Sequence, residues 1–240
     1  MGLVHSLRIV ADMARLTAPS IIEAARGRLK RDAIDERARW FARRVVHTLE
    51  VNLAVSGGER VSPDETYVYM SNHQSHLDIP MLYATLPSPT IRMLGKTELF
   101  RIPLWGPALR AAEFIEVDRA NPRRARESVQ RAAELVRNGV CVYLAPEGTR
   151  SRDGRIGPLK KGGFHLALAT GVPIVPVALR GTIDILPRGA RLAQPGKTVH
   201  VHIGAPIPVH GRTVGDLADE VAAFLKHHVE GRGTVSTLST

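Results

Sequence analysis

The sequence predicts an α/β fold: a mainly parallel mixed sheet flanked by helices and preceded by an N-terminal amphipathic helical hairpin. Three observations support this prediction. From about residue 50, short apolar runs of strand length alternate with longer segments of helical spacing, which is typical of parallel sheets. Residues 1–48 show helical spacing only. A chain of 240 residues with 44% hydrophobic content is also long enough to bury one sizeable core.

Residues 1–48 are predicted to form the two helices of the hairpin. Apolar residues recur at helical spacing from Leu3 to Met13, and Pro19 is expected to separate the two helices. The second helix mixes apolar residues with the arginines Arg37, Arg39, Arg43 and Arg44. Two interpretations are open. The hairpin either lies in a membrane interface with its arginines on lipid phosphates, or packs on the domain with its arginines in water.

Residues 49–230 are predicted to form one α/β domain, followed by a disordered tail at 231–240. Apolar runs predict strands at 50–55, 67–71, 90–94, 113–117, 140–145, 173–179 and 198–203. Helical spacing predicts helices at 78–86, 101–111, 122–138, 160–170 and 215–229. The unusual polar residues fall in loops after strands, where sheets of this class gather ligand groups.

The charge of the chain indicates an anionic partner. The formal net charge is +10, which suits a lipid phosphate, an anionic bilayer or a nucleic acid. Nucleic-acid binding should also bring stacking aromatics or a reading helix, but aromatic residues make up only 5% of the chain and no such motif is present. We therefore expect a membrane surface with anionic lipids as a partner, and no nucleic acid.

The distribution of apolar residues predicts peripheral or monotopic attachment on the cytoplasmic face of a membrane. No apolar run approaches the roughly 18 residues that cross a bilayer, and Arg8, Asp12 and Arg15 interrupt what would be the apolar core of a signal peptide. The single cysteine, Cys141, cannot form an intramolecular disulfide and lies in an apolar run, so we expect it to pack in a strand in a reducing compartment.

The first candidate site follows the strand predicted at 67–71. His73 and Asp78 lie five residues apart at a strand-to-helix junction, where a carboxylate can fix the tautomer of an imidazole that takes up a proton. This is half of a serine-protease triad, with the nucleophilic hydroxyl left to the substrate. A structural histidine and aspartate pair is the plainer alternative. His73, His76 and Asp78 could instead bind zinc in a metal-dependent hydrolase, although His76 more simply belongs to the loop or the helix cap.

The second candidate site follows the strand predicted at 140–145. The segment 145–151 contains Glu147, Gly148, Thr149 and Arg150, and Lys160 and Lys161 precede the next helix. A glycine allows close approach of a ligand to the backbone, and an arginine fork matches phosphate oxygens. Glu147 would either hold the loop by hydrogen bonds or pair with Arg150. A solvated surface turn is the alternative for this segment.

These two segments, in this order, closely resemble the glycerolipid acyltransferase family of 1-acylglycerol-3-phosphate acyltransferases. The first block matches the family pattern N-H-x-x-x-x-D at Asn72, His73 and Asp78, and the second matches P-E-G-T-R-S at 146–151. Further blocks at 95–99, 114–119 and 172–177 resemble those of the family. One departure is Leu144-Ala145 before Pro146, where the family usually has phenylalanine.

The resemblance implies that His73 deprotonates the acceptor hydroxyl, which attacks an acyl thioester directly, and that Asp78 orients His73. It implies phosphate binding by Lys96, Arg119 and Arg150 in a pocket shaped by Glu147, Gly148 and Thr149. The implied acceptor is 1-acylglycerol-3-phosphate and the co-substrate is acyl-CoA or acyl-carrier protein, without a metal or other cofactor. Another lysolipid such as lyso-ornithine lipid remains an open acceptor, and a non-catalytic lipid-binding module using only the basic helices is a further alternative.

Overall fold

The fold is described by a computed structural model that covers residues 2–118 and 120–231. Its strands are β1 (Asn52–Ser56), β2 (Val68–Ser71), β3 (Ile91–Lys96), β4 (Ile115–Val117), β5 (Cys141–Leu144), β6 (Ile174–Arg180) and β7 (Thr198–Ile203). They form one seven-stranded sheet in the order β1-β7-β6-β2-β5-β3-β4. All neighbouring pairs are parallel except β6 and β7. The predicted α/β class and its mixed, mainly parallel sheet are confirmed.

Within the described ranges the helices are α1 (Gly2–Ala25), α2 (Arg31–Thr48), α3 (Asp78–Thr85), α4 (Thr97–Phe100), α5 (Trp105–Ala111), α6 (Pro122–Arg137), α7 (Gly162–Thr170), α8 (Thr182–Ile185) and α9 (Val214–Glu230). The predicted disordered tail lies outside the described residues, apart from Gly231. The helix predicted at 101–111 was wrong at its start. Leu104 has a left-handed φ of 64°, which a right-handed helix does not allow, so α5 begins only at Trp105.

Pro19 does not separate the hairpin helices, which corrects the expected boundary. Helix α1 continues through Pro19 to Ala25, and the turn comes at Gly27, whose φ of 63° is left-handed. An interior proline costs about 3 kcal/mol of helix stability. Contacts with α2 offset this cost, including the pair of Arg37 with Glu23 at 2.5 Å and of Arg44 with Asp12 at 3.0 Å.

Helices cover both faces of the sheet because successive strand residues point to opposite sides. On β2, Tyr69 faces a core shared with α2 and α3, whereas Val68 and Met70 face a core shared with α6, α7 and α9. Helix α2 contributes Ile34, Ala42 and Val45 to the first of these cores. The second helix of the hairpin is therefore part of the main core and is held by the same apolar packing as the sheet.

A buried ion pair also joins α2 to the sheet. Arg92 on β3 is completely buried and donates to Asp35 on α2 at 2.5 Å. Asp35 accepts a second hydrogen bond from Thr90 at 2.7 Å. Glu113 lies 3.7 Å from Arg92 Nε and accepts hydrogen bonds from Nε and Nη2 of Arg31, each at 2.7 Å. These charges fix the position of α2 against the strand.

Four histidines gather between β7 and the end of α9. They are His200, His202, His227 and His228. The rings of His202 and His228 stack with centroids 4.0 Å apart, and His202 Nδ1 lies 2.7 Å from Ser56 Oγ. Burial lowers the pKa of His202, and burial together with His202, His227 and Arg60 lowers the pKa of His228 from 6.5 to about 4. The folded protein therefore favours the neutral rings of His202 and His228.

This cluster predicts a loss of stability in mild acid. Because the folded pKa of His228 is about 4 and the ordinary value is 6.5, the unfolded chain binds more protons in between. The stability contribution is present above pH 6.5 and is lost as the pH falls toward 4. His228→Phe keeps an aromatic ring without titration, so its urea midpoint should fall less between pH 7.5 and pH 5 than that of the wild type. The control is the exposed His165→Phe, and an equal fall in all three proteins would contradict the prediction.

Candidate active site

The candidate site lies where the carboxyl ends of the parallel strands meet. Strand β2 lies between β5 and β6 and is parallel to both. The loop after β2 carries His73, the loop after β5 carries Arg150, and α8 follows β6. Because parallel strands end at the same edge of the sheet, these three segments become neighbours although they are far apart in sequence. The sheet order thus assembles one site from three loops.

His73 and Asp78 are in direct contact, as predicted. His73 Nδ1 lies 2.7 Å from Asp78 Oδ2. The side chain of His73 is 23% exposed, whereas that of Asp78 is completely buried. A carboxylate accepts only, so the neutral ring carries its proton on Nδ1 and leaves Nε2 free to take a proton from a bound hydroxyl. The pair has the geometry of a general base with an orienting carboxylate.

Asp78 is held by an array of donors that surrounds both of its oxygens. Besides His73, Oδ2 accepts from the backbone nitrogens of Gln74 at 2.7 Å and Ser75 at 2.9 Å. Oδ1 accepts from the hydroxyl of Thr182 at 2.5 Å. A buried carboxylate that receives several hydrogen bonds is held in one orientation. Thr182 was not identified from the sequence, although its position just after the apolar strand β6 places it at the same edge of the sheet.

Asn72 fixes the loop to β6. Its side-chain amide donates to the carbonyl of Leu179 and accepts from the backbone nitrogen of Leu179, each at 2.8 Å. Asn72 is almost completely buried, so both of these bonds are shielded from water. Sequence analysis identified Asn72 only as a member of a motif. The structure assigns it the role of holding the backbone next to His73.

Glu147 holds the two loops together rather than pairing with Arg150. Its carboxylate accepts from the backbone nitrogen of His73 at 2.8 Å and from that of Gly157 at 3.0 Å. Burial raises the pKa of Glu147, and these backbone hydrogen bonds oppose the rise. The backbone nitrogen of Ser151 also donates to the carbonyl of His73 at 2.7 Å. The loop-holding alternative is therefore the one that the geometry supports.

The residues implied in phosphate binding lie at the same edge as far as they are described. Lys96 ends β3 and is exposed, and Arg150 is half-buried. Gly148 is buried with a left-handed φ of 73°, whereas Thr149 is exposed. Burial lowers the pKa of Arg150, and the neighbouring charge of Arg188 adds to this effect. The remaining implied ligand, Arg119, lies outside the described residues.

The metal-hydrolase alternative is not supported by the geometry. In the part of the chain that the structure describes, no three histidine, cysteine or acidic side chains are placed to hold one metal ion. His76 is exposed, and His73 Nδ1 is engaged by Asp78. Ser75 is not prepared as a nucleophile either, because its hydroxyl donates to the carbonyl of Leu186 at 2.7 Å. The arrangement of the described residues is that of a general base acting on the hydroxyl of a bound substrate.

Comparison with known proteins agrees with this geometry. The sequence model of the acyltransferase family matches residues 52–180. A chloroplastic 1-acyl-sn-glycerol-3-phosphate acyltransferase of Brassica napus is 42% identical over 159 residues, which are 66% of this chain and 45% of that protein. Its counterpart in Arabidopsis thaliana is 40% identical over 169 residues, which are 70% of this chain and 46% of that protein. The chain thus spans about half the length of these two relatives.

A solved structure extends the likeness to almost the whole fold. The crystal structure of the 1-acyl-sn-glycerophosphate acyltransferase PlsC from Thermotoga maritima matches with a TM-score of 0.80 and 26% sequence identity. The match covers 95% of each chain. The family match includes both His73 and the segment 145–151, the two parts of the site described above. On these grounds the chain belongs to the acyltransferase family.

Proposed function

We propose that the chain transfers a fatty acyl group from acyl-CoA or acyl-carrier protein to the free hydroxyl of 1-acylglycerol-3-phosphate, which gives phosphatidic acid. The contact between His73 Nδ1 and Asp78 at 2.7 Å carries the proposal, because it leaves Nε2 as a positioned base without an enzyme nucleophile beside it. The activities of the relatives from Brassica napus and Thermotoga maritima support the choice of acceptor.

The proposed reaction begins with proton transfer to His73. Nε2 takes the proton of the acceptor hydroxyl while the oxygen attacks the thioester carbonyl, and a new C–O bond forms. The imidazolium is stabilised by the buried carboxylate of Asp78. When the tetrahedral intermediate collapses, the C–S bond breaks and the thiolate leaving group takes the proton back from His73. These reaction steps need no acyl-enzyme intermediate.

The acceptor phosphate supplies the remaining positioning in this proposal. A phosphate monoester carries about two negative charges near neutral pH. Lys96, Arg119 and Arg150 are the proposed cations for it, and the loop held by Glu147 presents Arg150 close to His73. Binding of the phosphate would set the distance between the acceptor hydroxyl and Nε2, so the reacting groups would already be oriented when the reaction begins.

The decisive experiment supplies the purified chain with labelled acyl-CoA or acyl-carrier protein and a panel of lysolipids. The panel contains 1-acylglycerol-3-phosphate, lysophosphatidylglycerol, monoacylglycerol and lyso-ornithine lipid, and the products are resolved by mass spectrometry. Phosphatidic acid should be the main product. Acylation of lyso-ornithine lipid with none of 1-acylglycerol-3-phosphate would replace the proposed acceptor. Product from neither donor would reject the activity.

The hairpin supports a second part of the proposal, which is peripheral attachment to the cytoplasmic face of an anionic membrane. Leu3, Leu7 and Val10 share one face of α1 and are 59%, 59% and 62% exposed. Arg8, Arg43 and Arg44 line a neighbouring groove of about 780 Å³. None of the helices within the described ranges is long and apolar enough to cross a bilayer. We propose that residues 1–48 dock on the membrane and residues 49–230 carry the acyltransferase chemistry.

Point variants test this attachment better than a deletion, because α2 belongs to the main core. Leu3→Glu combined with Leu7→Glu should release most of the protein from vesicles of phosphatidylglycerol and phosphatidylcholine, since charges replace the apolar face of α1. Added salt should weaken binding of the unaltered chain. Vesicle sedimentation measures both effects. Val55→Glu changes an exposed apolar residue of β1 as the control, and retention of the double variant would place the membrane contact elsewhere.

A further inference from the structure

A second arginine lies beside Arg150, outside all of the sequence blocks. Arg188 follows α8 and its Nη1 donates to the backbone carbonyl of Arg150 at 3.4 Å. The side chain of Arg188 is exposed. Its charge is close enough to lower the pKa of Arg150, second only to burial among the causes. Two guanidinium groups from segments 38 residues apart are thus neighbours at the candidate site.

The loop that carries Arg188 is hydrogen-bonded to the loop that carries His73. The carbonyl of Leu186 accepts from the hydroxyl of Ser75 at 2.7 Å. The carbonyl of Ile185 accepts from the backbone nitrogen of Gln194 at 2.9 Å, which closes the loop on itself. Thr182, at the start of α8, donates to Asp78. The position of Arg188 relative to His73 is therefore set by the same contacts that hold the catalytic pair.

The two arginines form a positive pair, and the charge of Asp78 acts on Arg150 only from a distance. In residues 2–118 and 120–231, neither Arg150 nor Arg188 forms an ion pair with a carboxylate. Like charges held together are unfavourable until an anion lies between them. Each guanidinium presents a planar fork of donors to oxygen atoms. An anion with several free oxygens and more than one negative charge would satisfy both groups.

A phosphate monoester fits this requirement better than a diester. The monoester has three terminal oxygens and a charge of about −1.5 to −2 at neutral pH. A diester has one terminal oxygen fewer and a single charge, so it gives the second arginine less to bind. The contribution of Arg188 to acceptor binding should therefore depend on the type of lysolipid headgroup.

We propose that Arg188 binds the acceptor phosphate together with Arg150 and selects phosphomonoester lysolipids over phosphodiester ones. The proposal rests on the proposed acyl transfer to a lysophospholipid and deepens it. Arg188 adds to the cations that the sequence blocks supply, and it contacts the headgroup rather than the reacting atoms. It is therefore a specificity-determining residue.

The kinetic test compares Arg188→Ala and Arg188→Lys with Arg191→Ala, which removes an exposed arginine three residues further along the same loop. Arg188→Ala should raise the KM for 1-acylglycerol-3-phosphate about tenfold and leave the acyl-donor KM within about twofold. Arg188→Lys keeps the charge without the fork and should fall in between. Arg191→Ala should match the wild type. The preference for 1-acylglycerol-3-phosphate over lysophosphatidylglycerol should shrink only in the Arg188 variants.

A binding test needs no turnover. sn-Glycerol 3-phosphate should raise the Tm of the wild type and of Arg191→Ala, because it binds the folded state only, and should raise that of Arg188→Ala less. Without ligand, Arg188→Ala should melt no earlier than the wild type, since removing one of two like charges relieves repulsion. A structural role for Arg188 would instead lower this Tm and would overturn the proposal.

The outcomes separate this inference from the proposed function. If the wild type makes phosphatidic acid while Arg188→Ala matches Arg191→Ala in acceptor KM and in ligand-dependent Tm, the role of Arg188 is refuted and the activity stands. A rise in donor KM equal to the rise in acceptor KM also refutes it. If the wild type acylates none of the lysophospholipids but its response to sn-glycerol 3-phosphate depends on Arg188, the proposed function fails and the phosphate site stands.

Discussion

Replacement of His73 by alanine should lower turnover by at least about a hundredfold, because a positioned general base contributes roughly a hundred- to ten-thousandfold. The fold should persist. The ring is 23% exposed, and the contacts that shape the loop at this position come from the backbone of His73, whose nitrogen donates to Glu147. Alanine keeps that backbone. Steady-state turnover together with circular dichroism and thermal melting measures both expectations.

His76→Ala is the matched control for this experiment, because it removes an exposed imidazole from the same loop. Its turnover should stay close to that of the wild type. Near-normal turnover of a folded His73→Ala protein would reject His73 as the base and would favour a non-catalytic lipid-binding module. Asp78→Asn is less informative. An amide cannot accept all the hydrogen bonds that Asp78 receives, so this variant should lose stability as well as activity.

Asp35→Ala should lower the free energy of unfolding by about 3 to 5 kcal/mol, which is typical when one partner of a buried ion pair is removed. Arg92 is completely buried, and without Asp35 its nearest carboxylate is Glu113 at 3.7 Å. The guanidinium would then keep its charge inside the core without an adequate partner. Urea unfolding, followed by circular dichroism or by the fluorescence of the two tryptophans, measures the loss.

Two variants sharpen this stability test. Asp32→Ala removes an exposed carboxylate one turn earlier on α2 and should change the free energy of unfolding by less than about 0.5 kcal/mol. Replacing both partners with apolar residues, Arg92→Met with Asp35→Leu, should recover much of the stability lost in Asp35→Ala, because no charge stays buried. If Asp35→Ala were as stable as Asp32→Ala, the buried pair would not anchor α2.

The alternation of apolar runs and helical segments was enough to predict the fold. Each predicted strand overlaps an observed one, and the central strands β2, β5 and β6 gave the strongest signal because they are buried and therefore largely apolar. The errors came where tertiary contacts overrule a local signal. Pro19 is a helix breaker by propensity, yet packing against α2 keeps α1 helical through it. The left-handed Leu104 likewise has no signal in residue type, since leucine rarely adopts that conformation.

The candidate site was predictable where its members belong to the two sequence motifs, the one with His73 and Asp78 and the one at 146–151. His73 and Asp78 are five residues apart, so a single loop brings them together. Thr182 and Arg188 lie at the site because β6 is the neighbour of β2 in the sheet. Sequence patterns do not reveal which strands are neighbours. The order of strands in the sheet must be known before such partners can be identified.

The attachment of Asn72 to both backbone groups of Leu179 also limits how the loop that carries His73 can move. Strand β6 is central and buried, so its backbone groups become free only when the middle of the sheet opens. Such openings belong to the slow, nearly global class rather than to the rapid fluctuations of surface loops. His73 is thus anchored to a buried strand of the sheet, and any motion that opens the site has to come from the loops around it.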